Sequence, residues 1–249
     1  MKLNEDIEFI EKAIFLPKYK TIIIADLHIG YEEAVSNMFN IPLKEFDKIF
    51  EEIKLITKKL KPERIIINGD IKHEFGKINK EEWNRVLELL EFLKEEVKEI
   101  VIIEGNHDKV LKKIIRKVKE IKFENKYIIG NILIAHGDKI VSIDKTQENR
   151  GFSRPRKQKF SREIKTIIIG HEHPAVSIGN GIDKEKFKCF LVGNFKGKEL
   201  IVMPSFFSIN EGTDLTREKT ISPFLKNISN FDVYVVEDKI YHLGKIKNL

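Results

Sequence analysis

Five short runs of nearly uninterrupted apolar, mostly β-branched residues punctuate the chain: Thr21–Ala25 (TIIIA), Arg64–Asn68 (RIIIN), Ile100–Glu104 (IVIIE), Asn131–Ala135 (NILIA) and Thr166–Ile169 (TIII). Runs this short and this apolar read as strands covered on both faces. Helical patterns fill the gaps between the first three. Leu43 to Leu60 carries apolar residues at helical spacing until Pro62 stops it, and Glu81 to Val97 does the same through Val86, Leu89, Leu90 and Leu93. Strand–helix–strand alternation implies βαβ units and parallel pairing. Val110 to Val118 reads as a third helix with one apolar and one basic face. The C-terminal half is richer in strands. Hairpins are predicted from Phe187–Val192 with Glu199–Met203, and from Asp232–Val236 with Ile240–Leu243. No repeat or low-complexity linker divides the chain, so residues 1–249 read as one α/β domain with two packed sheets.

The residues just after each buried run are chemically distinctive. TIIIA leads into Asp26-Leu27-His28, and RIIIN into Gly69-Asp70. IVIIE leads into Gly105-Asn106-His107-Asp108, NILIA into His136-Gly137-Asp138, and TIII into Gly170-His171-Glu172-His173. The carboxyl ends of parallel strands form the binding edge of an open α/β sheet. Six of the seven histidines, at 28, 73, 107, 136, 171 and 173, fall in or beside these motifs. The seventh, His242, sits in a predicted C-terminal strand and reads as structural.

Asp26 and His28 are two apart, so an extended backbone would put both side chains on one side; His171 and His173 repeat the device. Four His, two Asp and one Asn make a nitrogen and oxygen donor set without thiolate. Seven donors are too many for one tetrahedral zinc and suit two hard or borderline divalent ions bridged by a carboxylate. Such pairs activate a bridging hydroxide and support in-line displacement at phosphorus.

In this order, DLH, GD, GNHD, HG and GHEH resemble the signature of the calcineurin-like metallophosphoesterase superfamily. The wider wording, ADLHIGYE, NGDIKHEFG and GHEHP, is similar to its archaeal and bacterial ICC-like branch, which includes phosphoesterases encoded beside a DNA ligase. The resemblance implies a four-layer α/β/β/α sandwich of two mixed sheets flanked by helices. It implies that Asp26, His28 and His173 hold one metal, that Asn106, His136 and His171 hold the other, and that Asp70 bridges them. His107 would protonate the leaving oxygen or stabilise the equatorial oxygens, and Asp108 would orient His107. Mn²⁺ is the expected metal, with Fe, Ni or Zn as alternatives. His73 is not among the standard ligands; a role at the substrate phosphate, or in supporting the residues that hold the metals, is expected for it, with a structural role as the alternative. Asp138 and Glu172, beside ligands, are further candidate acceptors.

Charge narrows the substrate. Residues 139–165 hold nine basic and three acidic side chains, the whole formal excess of +6. Within them Arg150, Phe152, Arg154, Arg156 and Lys157 interleave cations with an aromatic ring, a composition suited to single-stranded nucleic acid. A solvated loop is the plain alternative. The expected activity is therefore a phosphodiesterase or nuclease. A small-molecule or protein phosphomonoesterase, and a non-catalytic metal-dependent interaction module on the same fold, are the other readings. One cysteine, Cys189, excludes an intrachain disulfide and points to a reducing, cytoplasmic setting. No apolar run approaches a membrane span, and Met1 to Glu11 lacks the apolar stretch of a signal peptide. Abundant Ile, Lys and Glu with two Gln lean toward a thermophile.

Overall fold

The isoleucine runs pair edge to edge, and their registers bring the chemically distinctive turns level with one another. The computed structural model describes residues 1–39, 44–74, 79–115, 120–143, 163–179, 184–209 and 211–249. One sheet runs in the order β1 (Glu8–Ile10), β2 (Ala13–Leu16), β3 (Thr21–Ile24), β4 (Arg64–Asn68), β5 (Glu99–Ile103) and β6 (Ile121–Glu124). β1 to β3 are antiparallel, and β3 to β6 are parallel. Ile24 lies opposite Ile67, and Ile67 opposite Ile102, so the three strands end together.

The second sheet contains β7 (Tyr127–Ile129), β8 (Ile132–Ala135), β9 (Thr166–Ile169), β10 (Pro174–Ile178), β11 (Glu185–Phe195), β12 (Lys198–Val202), β13 (Thr213–Asp214), β14 (Asp232–Val236) and β15 (Ile240–Lys245). Its order is β13-β10-β11-β12-β9-β8-β7, with β14 on β11 and β15 on β14. β8, β9 and β12 run parallel, with Ala135 opposite Ile169 and Ile169 opposite Val202. Both sheets are mixed.

Between the sheets lies an apolar layer: Phe9, Ile14, Ile23, Ile66, Val101 and Ile103 from the first face Ile132, Ile134, Ile168, Phe190, Ile201 and Met203 from the second. Phe9 stacks on Phe190 with ring centroids 4.1 Å apart. Four helices accompany the first sheet among the described residues: α1 (Tyr31–Phe39), α2 (Glu45–Leu60), α3 (Lys80–Glu96) and α4 (Lys109–Ile115). α2 and α3 lay Phe46, Ile49, Ile53, Val86, Leu89 and Leu93 on its outer face, against Ile22, Ile24, Ile65, Ile67, Ile100 and Ile102. Each such side chain contributes about 1.5–3 kcal/mol by leaving water. The outer face of the second sheet is covered by Leu215, Phe224, Leu225 and Phe231 from the chain between β13 and β14. Among the described residues no helix is long and apolar enough to cross a membrane.

Elements with a strong periodic face match the sequence pattern to within two residues at the ends that can be compared, except β11, which runs three residues past the expected end at Val192. Residue 43 and residues 116–119, at the ends of two predicted helices, fall outside the described residues. The β1–β2 hairpin, β6, β7, β10, β13 and α1 carry no such signal in the sequence.

Candidate metal centre

Every strand end named from the sequence reaches one edge of the sandwich. The turns after β3 and β4 are zipped together by backbone bonds: Asp26 N–H to Gly69 O (3.2 Å), His28 N–H to Asp70 O (2.9 Å) and Ile29 N–H to Ile71 O (2.8 Å). The chain turns tightly to do this. Asp26, His28, Asp70, His171 and His173 all adopt left-handed backbone, with φ between 44° and 66°. That conformation is costly for residues with a Cβ and concentrates at functional sites. It also corrects the expected extended geometry: the paired side chains converge through left-handed turns rather than a straight strand. Glycine is needed where backbone meets side chain. A Cβ at Gly69 would overlap the His136 ring, and one at Gly105 would overlap the Asp70 carboxylate.

Two triads result. Asp26, His28 and His173 bring one donor atom each within 4.8 Å of one another, and so do Asp70, His136 and His171. In the first, His173 Nε2 lies 3.3 Å from His28 Nε2 and 3.6 Å from Asp26 Oδ1. In the second, His136 Nε2 lies 3.3 Å from Asp70 Oδ2 and 3.1 Å from Asn106 Oδ1. Asp70 Oδ2 is also 4.0 Å from His28 Nε2, which puts this carboxylate between the triads. Its other oxygen accepts the His107 N–H at 3.0 Å.

The electrostatics couple the buried carboxylates to the imidazoles. Burial opposes the Asp70 anion, but His136, His28 and His107 outweigh it and hold the carboxyl far below the usual range. Burial also opposes a charged His136, yet the Asp70 and Asp26 carboxylates push that ring up to about 10. Burial, with His173 beside it, brings His28 down to about 3, leaving the neutral imidazole that ligates metal. Asp26 Oδ1 is buried with no hydrogen-bond partner among the described residues. A buried, unbonded carboxylate oxygen among ring nitrogens is what a bound cation satisfies. The nitrogen and oxygen donors fit a pair of hard or borderline divalent ions.

His107 and His73 flank the triads. With His28 they form a third cluster of donor atoms within 4.8 Å of one another. The expected link between Asp108 and His107 is corrected. Adjacent side chains leave the chain in different directions, and Asp108 turns inward: its oxygens accept the N–H groups of Ile71 and Gly105, each at 3.1 Å. Asp108 thus braces the turns that carry Asp70 and Asn106; burial, with the Asp70 anion nearby, raises it to about 7. The His73 carbonyl oxygen faces His107 Nδ1. Glu172, fully buried between His171 and His173 in the chain, accepts N–H bonds from Ile221 (3.0 Å) and Ser222 (2.8 Å) and so fastens that loop to the candidate centre. Asp138 faces its neighbour Lys139 at 3.7 Å. His242 pairs with Asp232 at 3.1 Å and stacks on Tyr234.

A pocket of about 480 Å³ opens over the centre, lined by His28, Asp70, Asn106, His107, His171 and His173 and continuing to Lys186, Thr213 and Ile221. Neither this far wall nor the aromatic rings packed on His28 and His73 were legible in the sequence. Phe207 lies against His28, and Tyr31 against His73, with centroids 5.7 and 4.5 Å apart. Tyr31 follows Asp26-Leu27-His28 by three residues, but Phe207 and Ile221 carry no motif. Arg150, Phe152, Arg154, Arg156 and Lys157 lie outside the described residues.

Comparison with known proteins identifies the family and the fold. The model of the calcineurin-like phosphoesterase family matches residues 19–203. Among solved structures, nuclease MPE of Pseudomonas putida aligns with a TM-score of 0.62 at 16% identity, over 95% of this chain and 100% of that one, and shows the fold. YfcE, a phosphoesterase from E. coli, aligns over 88% of each chain with a TM-score of 0.37 at 11% identity, too low to carry an argument. Among curated proteins none matches the sequence. The family hydrolyses phosphoester bonds with a dinuclear metal centre. By the extent of the match and the two triads on its sheet edge, this chain belongs to the calcineurin-like phosphoesterase family.

Proposed function

We propose that the protein is a phosphodiesterase acting on nucleic acid, with Mn²⁺ as its metal. Asp26, His28 and His173 would hold one ion, Asn106, His136 and His171 the other, and Asp70 would bridge. When bound, the two ions supply the charge that activates water and neutralises the phosphoryl oxygens. The chain's own residues do the rest. Asp26 and Asp70 supply anionic charge from buried positions. His107, with Nε2 3.8 Å from Asp70 Oδ2, borders the pocket where a leaving oxygen would emerge. It would donate the proton there or stabilise the equatorial oxygens. His73, half-buried against Tyr31, would contact a substrate phosphate.

The observation that carries the reading is the position of Asp70 between two His/Asp triads, with His107 beside it. The choice of a nucleic-acid diester is supported by the basic, Phe-containing segment around residues 150–157, which lies in sequence between His136 and His171. That nuclease MPE shares the fold is consistent with it. Both sheets contribute ligands, which supports treating residues 1–249 as one metallophosphoesterase domain. The buried lone thiol, Cys189, fits the cytoplasmic setting proposed here.

The test is hydrolysis of a chromogenic phosphodiester, a chromogenic monoester and a single-stranded oligonucleotide, each with Mn²⁺ and with chelator. Cleavage of the diester and the oligonucleotide, lost with chelator, is expected. Cleavage of the monoester alone would make the protein a phosphatase, and no metal-dependent cleavage of any of them would make it an interaction module.

A further inference from the structure

Glu82 lies in the first turn of α3, outside every ligand motif, yet its carboxylate is fully buried. Asn79 fixes where the side chain starts, accepting the Glu82 N–H at 2.7 Å. Glu82 also packs against Gly30, two residues beyond His28. Its Oε1 accepts two backbone bonds, from the N–H groups of His73 and Glu74, each at 3.1 Å.

The second bond is the informative one. The Glu74 N–H and the His73 C=O belong to the same planar peptide unit, and in a trans peptide they point in opposite directions. Glu82 therefore grips one side of a peptide whose other side faces Nδ1 of His107. A carbonyl can only accept, so Nδ1 carries the proton and Nε2 is the nitrogen turned toward Asp70. A carboxylate on the N–H side polarises the peptide and strengthens the carbonyl as an acceptor. Burial raises the Glu82 carboxyl above its usual range, and its backbone donors and the Lys72 charge work against that rise.

We propose that Glu82 is the positioning residue for His107, orienting the ring and fixing its Nδ1 proton through the 73–74 peptide. The inference rests on reading His107 as the acid. Carboxylates commonly orient catalytic imidazoles directly; here the side chain next in sequence, Asp108, is committed elsewhere, and a carboxylate from a distant helix acts through one peptide plane.

The experiment compares Glu82→Ala, Glu82→Gln and His107→Ala on two diesters, one with an alkoxide and one with a nitrophenolate leaving group. Glu82→Ala should lose about 10–100-fold in kcat on the alkoxide substrate, far less on the nitrophenyl one, with KM and metal content unchanged. Glu82→Gln keeps an acceptor oxygen and should recover most of the loss. The Glu82→Ala/His107→Ala double variant should be no slower than His107→Ala alone. Should Glu82→Ala fail to fold, Glu82→Asp, which withdraws the oxygen by one methylene, should show the same selective loss. Equal losses on both substrates, or additive losses in the double variant, overturn the role of Glu82. If His107→Ala itself shows no dependence on the leaving group, the acid reading fails, and the Glu82 inference with it.

Discussion

Oδ2 of Asp70 stands 3.3 Å from Nε2 of His136, the shortest approach between a carboxylate and a histidine ring in the candidate centre. The same oxygen is 3.8 Å from His107 Nε2 and 4.0 Å from His28 Nε2. One carboxylate oxygen thus lies within 4.0 Å of a ring from each triad and of the proposed acid. Gly105 makes room for it, and the His107 N–H holds its other oxygen.

His107→Ala should keep its metals and lose about 10²–10⁴-fold in turnover on a diester with a poor leaving group. Nitrophenolate needs less protonation, so the defect there should be smaller. Single-turnover rates on the two substrates check this. Equal defects would leave His107 with transition-state electrostatics only.

Replacing Arg150, Arg154, Arg156 and Lys157 by Ser tests the basic segment. kcat/KM on a small chromogenic diester should stay close to wild type, while oligonucleotide binding weakens. Each lost phosphate contact should flatten the log–log salt dependence by ~0.7 on a single strand and ~0.9 on a duplex. Phe152→Ala should cost ~1–3 kcal/mol on single strands and little on duplex. Wild-type binding at several salt concentrations would remove the segment from the substrate site.

Lys188 offers a pH-dependent test of the fold. Its Nζ donates to Ser205 Oγ at 2.6 Å, and burial, with the Lys12 charge adding, lowers its pKa from 10.5 to about 7. From about pH 7 to 10.5 the unfolded chain binds a proton that the folded chain does not, so this group makes stability rise with pH across that window. Below it, the full cost of the buried cation is present. Lys188→Met removes that cost. Its Tm relative to wild type should be most favourable near pH 6 and decline toward pH 10. A difference that does not change with pH would show that Lys188 titrates normally.

Much of the centre was legible because its parts are local. An apolar run followed directly by Gly, Asp or His names both a strand and a candidate ligand at its end, and the parallel registers Ile24–Ile67–Ile102 and Ala135–Ile169–Val202 bring those ends level. What the sequence hid is non-local or directional. Adjacency made Asp108 the obvious partner of His107, but direction decides, and Asp108 points at Ile71 and Gly105. Phe207 reaches His28, and Glu172 holds Ile221, across separations that no pattern of spacing encodes. β1, β7 and β13 are two or three residues long, too short for any periodicity to emerge.

The central claim is a two-metal centre bridged by Asp70, and metal stoichiometry tests it most directly. Chelator-stripped protein titrated with Mn²⁺ should bind two ions per chain by calorimetry and elemental analysis, and Asp70→Asn should bind fewer and lose turnover, because a neutral amide cannot hold two cations as a carboxylate does. Two ions bound equally well by Asp70→Asn, or one or none bound by the wild type, would contradict the account.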